Sequence, residues 1–343
     1  ECLLLREQKL GRDHPTTLLL MNNLALLLDA QEKFDEAESL YRHCLGLQEK
    51  KLGREHTDTL STMNNFAMLL KKQGKTKVAE PLYRECFHLS VQILGKGHQK
   101  TLASMNNLAL LLDDQGKHDE AKSLLRECLS LQEQKLGRGH PDALSSIGNL
   151  ALLLKNQGMY DEAEQLYREC LLLREQKLGR DHPTTLLLMN NLALLLDAQE
   201  KFDEAESLYR HCLGLQEKKL GREHTDTLST MNNFAMLLKK QGKTKVAEPL
   251  YRECFHLSVQ ILGKGHQKTL ASMNNLALLL DDQGKHDEAK SLLRECLSLQ
   301  EQKLGRGHPD ALSSIGNLAL LLKNQGMYDE AEQLYRECLL LRE

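Results

Sequence analysis

Residues 11–52 read GRDHPTTLLLMNNLALLLDAQEKFDEAESLYRHCLGLQEKKL, and two helical spacings divide them. Met21, Leu24, Ala25 and Leu28 fall at i, i+3, i+4 and i+7, with Leu20 and Leu27 widening the stripe. That is the spacing of one buried helix face. Pro15 suits the first helical position, where a missing N–H costs no hydrogen bond, and the pattern predicts a helix running to about Gln31. A second stripe follows in Ala37, Leu40, Tyr41, Cys44, Leu45 and Gln48. Asp35, with Glu38 three residues on, predicts a capping box that opens this second helix. Gly53 closes it just after Leu52. The stretch reads as a helical hairpin, with no strand in it.

The hairpin recurs. The loop Gly11-Arg12-Asp13-His14-Pro15 returns as Gly53-Arg54-Glu55-His56-Thr57, Gly95-Lys96-Gly97-His98-Gln99 and Gly137-Arg138-Gly139-His140-Pro141, a step of 42 each time. Above it lies a period of 168, over which Glu1–Glu175 reappears without a change as Glu169–Glu343. Cores accept conservative swaps, so folding does not demand such identity. Recent duplication, engineering and a repeating assembly written as one chain would each account for it. Gly74, Gly116 and Gly158 mark first-helix ends as left-handed caps. Pro81 and Pro249 are expected in the first turn of a second helix, where proline is tolerated. One hairpin cannot bury both its helices, so neighbours must stack. The expected fold is an all-α solenoid of antiparallel helix pairs. Residues 1–343 read as a single repeat array of about eight hairpins, with a partial helix over residues 1–10 and a truncated second helix at the far end.

Composition excludes several function classes. Lys+Arg 45 against Asp+Glu 48 leaves a net charge of −3, without the basic footprint of a nucleic-acid binder or a membrane-surface helix. Aromatics are 4% and Trp is absent, so base-stacking platforms are poorly supplied. The longest apolar runs are about five residues, such as Leu24–Leu28, against the roughly 20 that span a bilayer. No secretory signal is visible at Glu1-Cys2-Leu3.

Nine cysteines recur once per 42 residues, from Cys2 and Cys44 to Cys338. Equivalent positions on packed helices lie about 8–10 Å apart, beyond the roughly 4.4–6.8 Å between disulfide-linked Cα atoms. They are expected to be small buried hydrophobes in a reducing, intracellular compartment. Eight histidines, His14, His56, His98, His140, His182, His224, His266 and His308, precede a helix in the inter-repeat loop, where a structural role bridging one helix to the next is expected. No metal-ligand spacing occurs and no cofactor is implied. Asp35-Glu36 and Asp119-Glu120 sit at second-helix starts, where negative charge suits the helix dipole. Catalysis needs a convergent constellation, and residues repeated at separated places do not supply one. No enzyme is expected.

Ala37, Tyr41 and Cys44, with Leu24-Ala25 and Leu28 on the preceding helix and the glycines at Gly116 and Gly158, resemble a tetratricopeptide repeat. The 42-residue length, the Leu-Gly-x-x-His-Pro loop and the Met/Leu-Asn-Asn-Leu-Ala block are similar to the long repeats of kinesin light chains and nephrocystin-3. Met21 stands where many such repeats carry Trp, and Cys44 where Ala is usual. The resemblance implies a right-handed superhelix, with a concave groove lined by first helices and a protein or peptide ligand. Carried onto this chain, the groove holds Asn22 and Asn23, Asn64 and Asn65, Asn106 and Asn107, and Asn149, with Gly148 in the place of its partner. After 168 residues come Asn190, Asn191, Asn232, Asn233, Asn274, Asn275 and Asn317. Mid-helix Asn is a poor helix former, so repeated pairs imply compensation. They either bond an extended peptide or bond neighbouring repeats, and both can hold at once. Groove charge alternates from Asp29 to Lys71 and Lys72, then Asp113 and Asp114, then Lys155, with inter-repeat pairing the default expectation.

Three readings of function follow: an interaction scaffold, a self-assembling array stacked head to tail, and the sensor portion of a larger signalling NTPase. The last seven residues repeat the first seven, so apolar residues of the final hairpin, Leu334, Tyr335 and Cys338, are expected to lie partly bare.

Overall fold

The computed structural model describes Leu5 and residues 8–341. Among these, residues 8–10 are helical and sixteen longer helices follow. They are α1 (Pro15–Ala30), α2 (Phe34–Leu52), α3 (Thr57–Lys72), α4 (Thr76–Leu94), α5 (Gln99–Asp114), α6 (His118–Leu136), α7 (Pro141–Asn156) and α8 (Tyr160–Leu178). Then come α9 (Pro183–Ala198), α10 (Phe202–Lys219), α11 (Thr225–Lys240), α12 (Thr244–Leu262), α13 (Gln267–Asp282), α14 (His286–Leu304), α15 (Pro309–Asn324) and α16 (Tyr328–Leu340). Two compact units emerge, Glu1–Leu166 and Tyr167–Glu343.

Within each unit every helix packs on the next in antiparallel pairs. The Cα traces of successive first helices, α1 with α3, α3 with α5 and α5 with α7, also come within 8 Å. Successive second helices do not, among the described residues. First helices therefore line the inner side of each unit and second helices its outer side. Close approach requires small residues at the contacts: Ala25, Ala37, Ala67, Ala79 and Ala109 are all fully buried. Leu102, Met105 and Cys128 form one core cluster, and Leu270, Met273 and Cys296 form the same one in the second unit. Among the described cysteines, Cys44 donates its thiol to the first-helix carbonyl of Leu18 at 3.3 Å and Cys86 to that of Leu60 at 3.3 Å, and Cys212 and Cys254 repeat the bond in the second unit. Stacking supplies the burial. Leu69, Leu111 and Leu153 are fully buried, whereas Leu27, at the same place in the first repeat, is 54% exposed. At the other end Tyr335 is 38% exposed, while Cys338 is buried.

The first helix ends in a Schellman turn. Gly74 at φ +74° donates to Lys71, and Lys75 donates back to Leu70 at 2.9 Å. In the first repeat the left-handed residue is Glu32, at φ +58°. This turn overturns the expected capping box. Because Lys33 N–H is spent on Leu28, the chain enters α2 directly at Phe34. Asp35 lies within the first turn, and Lys33 makes no side-chain cap. Glu38 instead binds Arg42 at 2.8 Å and Lys75 at 2.7 Å. Pro81 and Pro249 also depart from expectation. Helices α4 and α12 begin earlier than the capping reading placed them, so both prolines lie inside the helix beyond its first turn. The i−4 carbonyl that Pro81 cannot reach belongs to Lys77, an exposed residue whose carbonyl can meet water.

All eight loop histidines are N-caps. Their Nδ1 atoms accept from the backbone N–H two residues on, Thr16 to His14 at 3.3 Å and Lys100 to His98 at 3.2 Å among them. This is the specific form of their structural role.

Candidate functional site

The inner face of each unit carries the asparagine pairs, and the pairs bond across repeats. Asn65 donates its Nδ2–H to Oδ1 of Asn22 at 3.3 Å, and Asn107 to Asn64 at 3.1 Å. In the second unit Asn233 donates to Asn190 at 3.1 Å, Asn275 to Asn232 at 3.2 Å and Asn317 to Asn274 at 3.0 Å. Asn106 differs, exchanging hydrogen bonds with the Ser146 hydroxyl at 2.9 and 3.3 Å. The repeat-to-repeat ladder is thus present. It uses only part of each amide, since a carboxamide offers two N–H donors and a carbonyl with two lone pairs. Asn23 is exposed and Asn22 and Asn190 are buried. Asn64, Asn65, Asn106, Asn107, Asn149, Asn191, Asn232, Asn233, Asn274, Asn275 and Asn317 are half-buried.

The alternating charges cancel within the ladder. Lys72 meets Asp29 at 2.7 Å and Lys71 meets Asp114 at 2.9 Å, with Lys240–Asp197 and Lys239–Asp282 repeating both distances. Asp113 faces inward. It accepts from Asn156 at 3.1 Å and lies 2.7 Å from His118 Nδ1. Half-buried Lys155 also has a partner. No lysine cluster is left to clamp a carboxylate terminus among these residues.

A cavity of about 320 Å³ opens between α5, the end of α6 and the start of α7. Its walls include Leu102, Ala103, Asn106, Gln132, Lys135, Asp142 and Ser145. The same positions, Leu270, Ala271, Asn274, Gln300, Asp310 and Ser313, line one of about 210 Å³ in the second unit. Gln99 donates to Asp142 at 3.3 Å across the mouth, and Gln267 to Asp310 at 2.9 Å. Of these residues the sequence pattern placed Asn106 and Asn274 in the groove. Gln132 was missed because it lies on a second helix, although a polar residue at the buried Gln48 position was a signal.

The outer side carries a second ladder. Arg84 binds Glu120 at 2.8 Å and Arg126 binds Glu162 at 2.7 Å; Arg252–Glu288 and Arg294–Glu330 follow at 2.8 and 3.0 Å. Where Val78 replaces the glutamate, Arg42 stacks on Phe66, its Cζ 5.1 Å from the ring centroid. Glu80, held by Lys117 and Arg84, has its carboxyl lowered to about 2. Burial pushes the Cys86 and Cys128 thiols up to about 11. Thiols so raised are protonated and poor nucleophiles. Among the described residues no three His, Cys, Asp or Glu side chains converge as a metal site. No helix there is long and apolar enough to cross a membrane.

The sequence pattern of the tetratricopeptide repeat matches residues 1–50, 30–90, 58–134, 141–218, 198–258, 226–302 and 268–343. The chain belongs to the tetratricopeptide repeat family. No curated protein matches it by sequence. A Podosopora anserina protein assigned as a kinesin light chain, with nearly identical TPR-like repeats, is similar at 27% identity and a TM-score of 0.51, over 59% of this chain and 95% of that one. The apo quorum sensor NprR of B. thuringiensis has the same fold at 16% identity and a TM-score of 0.63, over 95% and 88%. A Rap protein complexed with competence and sporulation factor shares it at 13% and 0.58, over 95% and 97%. A tetratricopeptide repeat is a protein-interaction fold, and the sequence comparison places the chain in no enzyme family.

Proposed function

We propose that this tetratricopeptide repeat protein is a scaffold that binds an extended peptide segment of a partner along the first-helix face, the eight hairpins over residues 1–343 serving as one repeat array. The unspent capacity of the asparagine pairs carries this reading. Asn64 gives its carbonyl to Asn107 and Asn65 gives one N–H to Asn22. That leaves Asn64 donors and Asn65 acceptors, and Asn232 and Asn233 are left in the same way in the second unit. An extended backbone also presents donors and acceptors repeatedly, and fixing it to pre-ordered amides avoids an ordering cost at the binding site. The mutual cancellation of Lys71, Lys72, Asp29 and Asp114 favours a peptide of low net charge. Shared fold with a Rap protein captured with its factor supports the class of function, and no more than the class.

A displayed library of random extended peptides, panned against the whole chain, tests it. Peptides selected on the native protein should lose at least tenfold in affinity when Asn65 and Asn107 are replaced by Ala with helicity intact. Failure to select any peptide, or unchanged affinity in the variant, overturns the proposal.

A further inference from the structure

The cavity between α5, α6 and α7 has chemistry of its own. Leu102 and Ala103 give it an apolar wall, and the first repeat carries the larger Leu19 in the place of Ala103. Beneath lies Gln132, 3% exposed, whose Oε1 has no donor. Gln300, 6% exposed, is in the same condition in the copy. A buried carbonyl without a donor is left desolvated and uncompensated, so a ligand that supplies one is favoured. The charged groups at the walls are one cation, Lys135, tied to the Gly97 carbonyl at 3.0 Å, and one anion, Asp142. A charged side chain would gain from one and lose to the other while shedding its hydration. A neutral group that both donates and accepts matches all of them.

We propose that this pocket, with its copy at Ala271 and Gln300, is a subsite for a carboxamide side chain, Gln or Asn, of the bound peptide. Its N–H groups reach the Asp142 carboxylate and, once the enclosed Gln132 carboxamide turns toward the cavity, Gln132 Oε1, and its stem lies on Leu102 and Ala103. The proposal rests on the peptide-binding reading and names the side chain that reading leaves open.

The test uses an oriented peptide library with one position varied through all twenty residues, bound to the full chain. Gln and Asn should be enriched at one position. Replacing Ala103→Leu and Ala271→Leu together, with the residue the first repeat already carries, should remove the preference of about tenfold over Ala. Gln132→Glu with Gln300→Glu should turn it toward Lys and Arg, a reversal that loss of stability would not produce. Enrichment of charged or apolar residues on the native chain, or a Gln/Asn preference that survives both double variants, overturns the subsite alone. A library that yields no bound peptide overturns the groove reading and this one with it.

Discussion

Asn107 on α5 donates its Nδ2–H to Oδ1 of Asn64 on α3, 3.1 Å away and one repeat earlier in the chain. The bond is worth about 0.5–1.5 kcal/mol net. Ala at either position recovers up to about 0.7 kcal/mol of helix propensity. Single replacements by Ala should therefore shift stability by under about 1 kcal/mol, and only the double-mutant cycle isolates the bond. Urea unfolding of the four cycle members should give a coupling near 1 kcal/mol; zero coupling would mean that the ladder holds nothing together.

Stability should fall in acid through Glu80 and Glu248. Lys117 and Lys285 hold these carboxyls down to about 2 in the fold, while a free glutamate titrates near 4.3. The lowered value means that the ionised form is stabilised by folding, so the contribution is complete above about pH 4.3 and is lost as pH falls toward about 2. Thermal melts of Glu80→Gln with Glu248→Gln should show a flatter dependence across that window than the native chain.

His98→Ala should cost about 1 kcal/mol through loss of the cap on Lys100 N–H, whereas His98→Asn, a better cap, should cost little or stabilise. Equal destabilisation by both would assign the histidine another role.

Two backbone positions should respond in opposite directions. Gly53 stands at φ +88°, ψ 159°, a region that residues with a Cβ avoid, so Gly53→Ala should destabilise by about 1–3 kcal/mol. Glu32 and Glu200 hold φ +58° and +61° where other repeats use glycine, so Glu32→Gly and Glu200→Gly should raise the melting temperature. Differential scanning calorimetry reads both signs.

Cys86 and Cys128, raised to about 11 by burial, should resist a thiol reagent at pH 8 until the chain is unfolded. Modification as fast as that of a free thiol would contradict their burial.

The hairpin was legible because period 3.6 places Met21, Ala25, Ala37 and Tyr41 on buried faces, and period 42 forces those faces to meet. Helix entry was less legible. Asp35 and Glu38 have the residue types of a capping box, but the Schellman turn consumes the Lys33 N–H and leaves no separate Ncap side chain. Histidine is an uncommon cap, so His98 read as structural without its bond. In the groove, composition pointed to Asn64 and Asn107, while the direction of each amide depends on a neighbour 43 residues away. The pocket was hidden because its defining feature is a small residue, Ala103, over a second-helix glutamine.

The outer Arg84–Glu120 and Arg126–Glu162 pairs and the inner Asn107–Asn64 bond lace the two sides of the first unit with different kinds of stitch. Exposed ion pairs weaken as salt screens them, with a Debye length of about 8 Å at 0.15 M. Neutral amide bonds do not depend on charge in this way. The inner side also carries the Lys72–Asp29 and Lys71–Asp114 pairs, so added salt loosens charged stitches on both sides, and the stiffness the unit keeps in brine is set by its neutral amide seam.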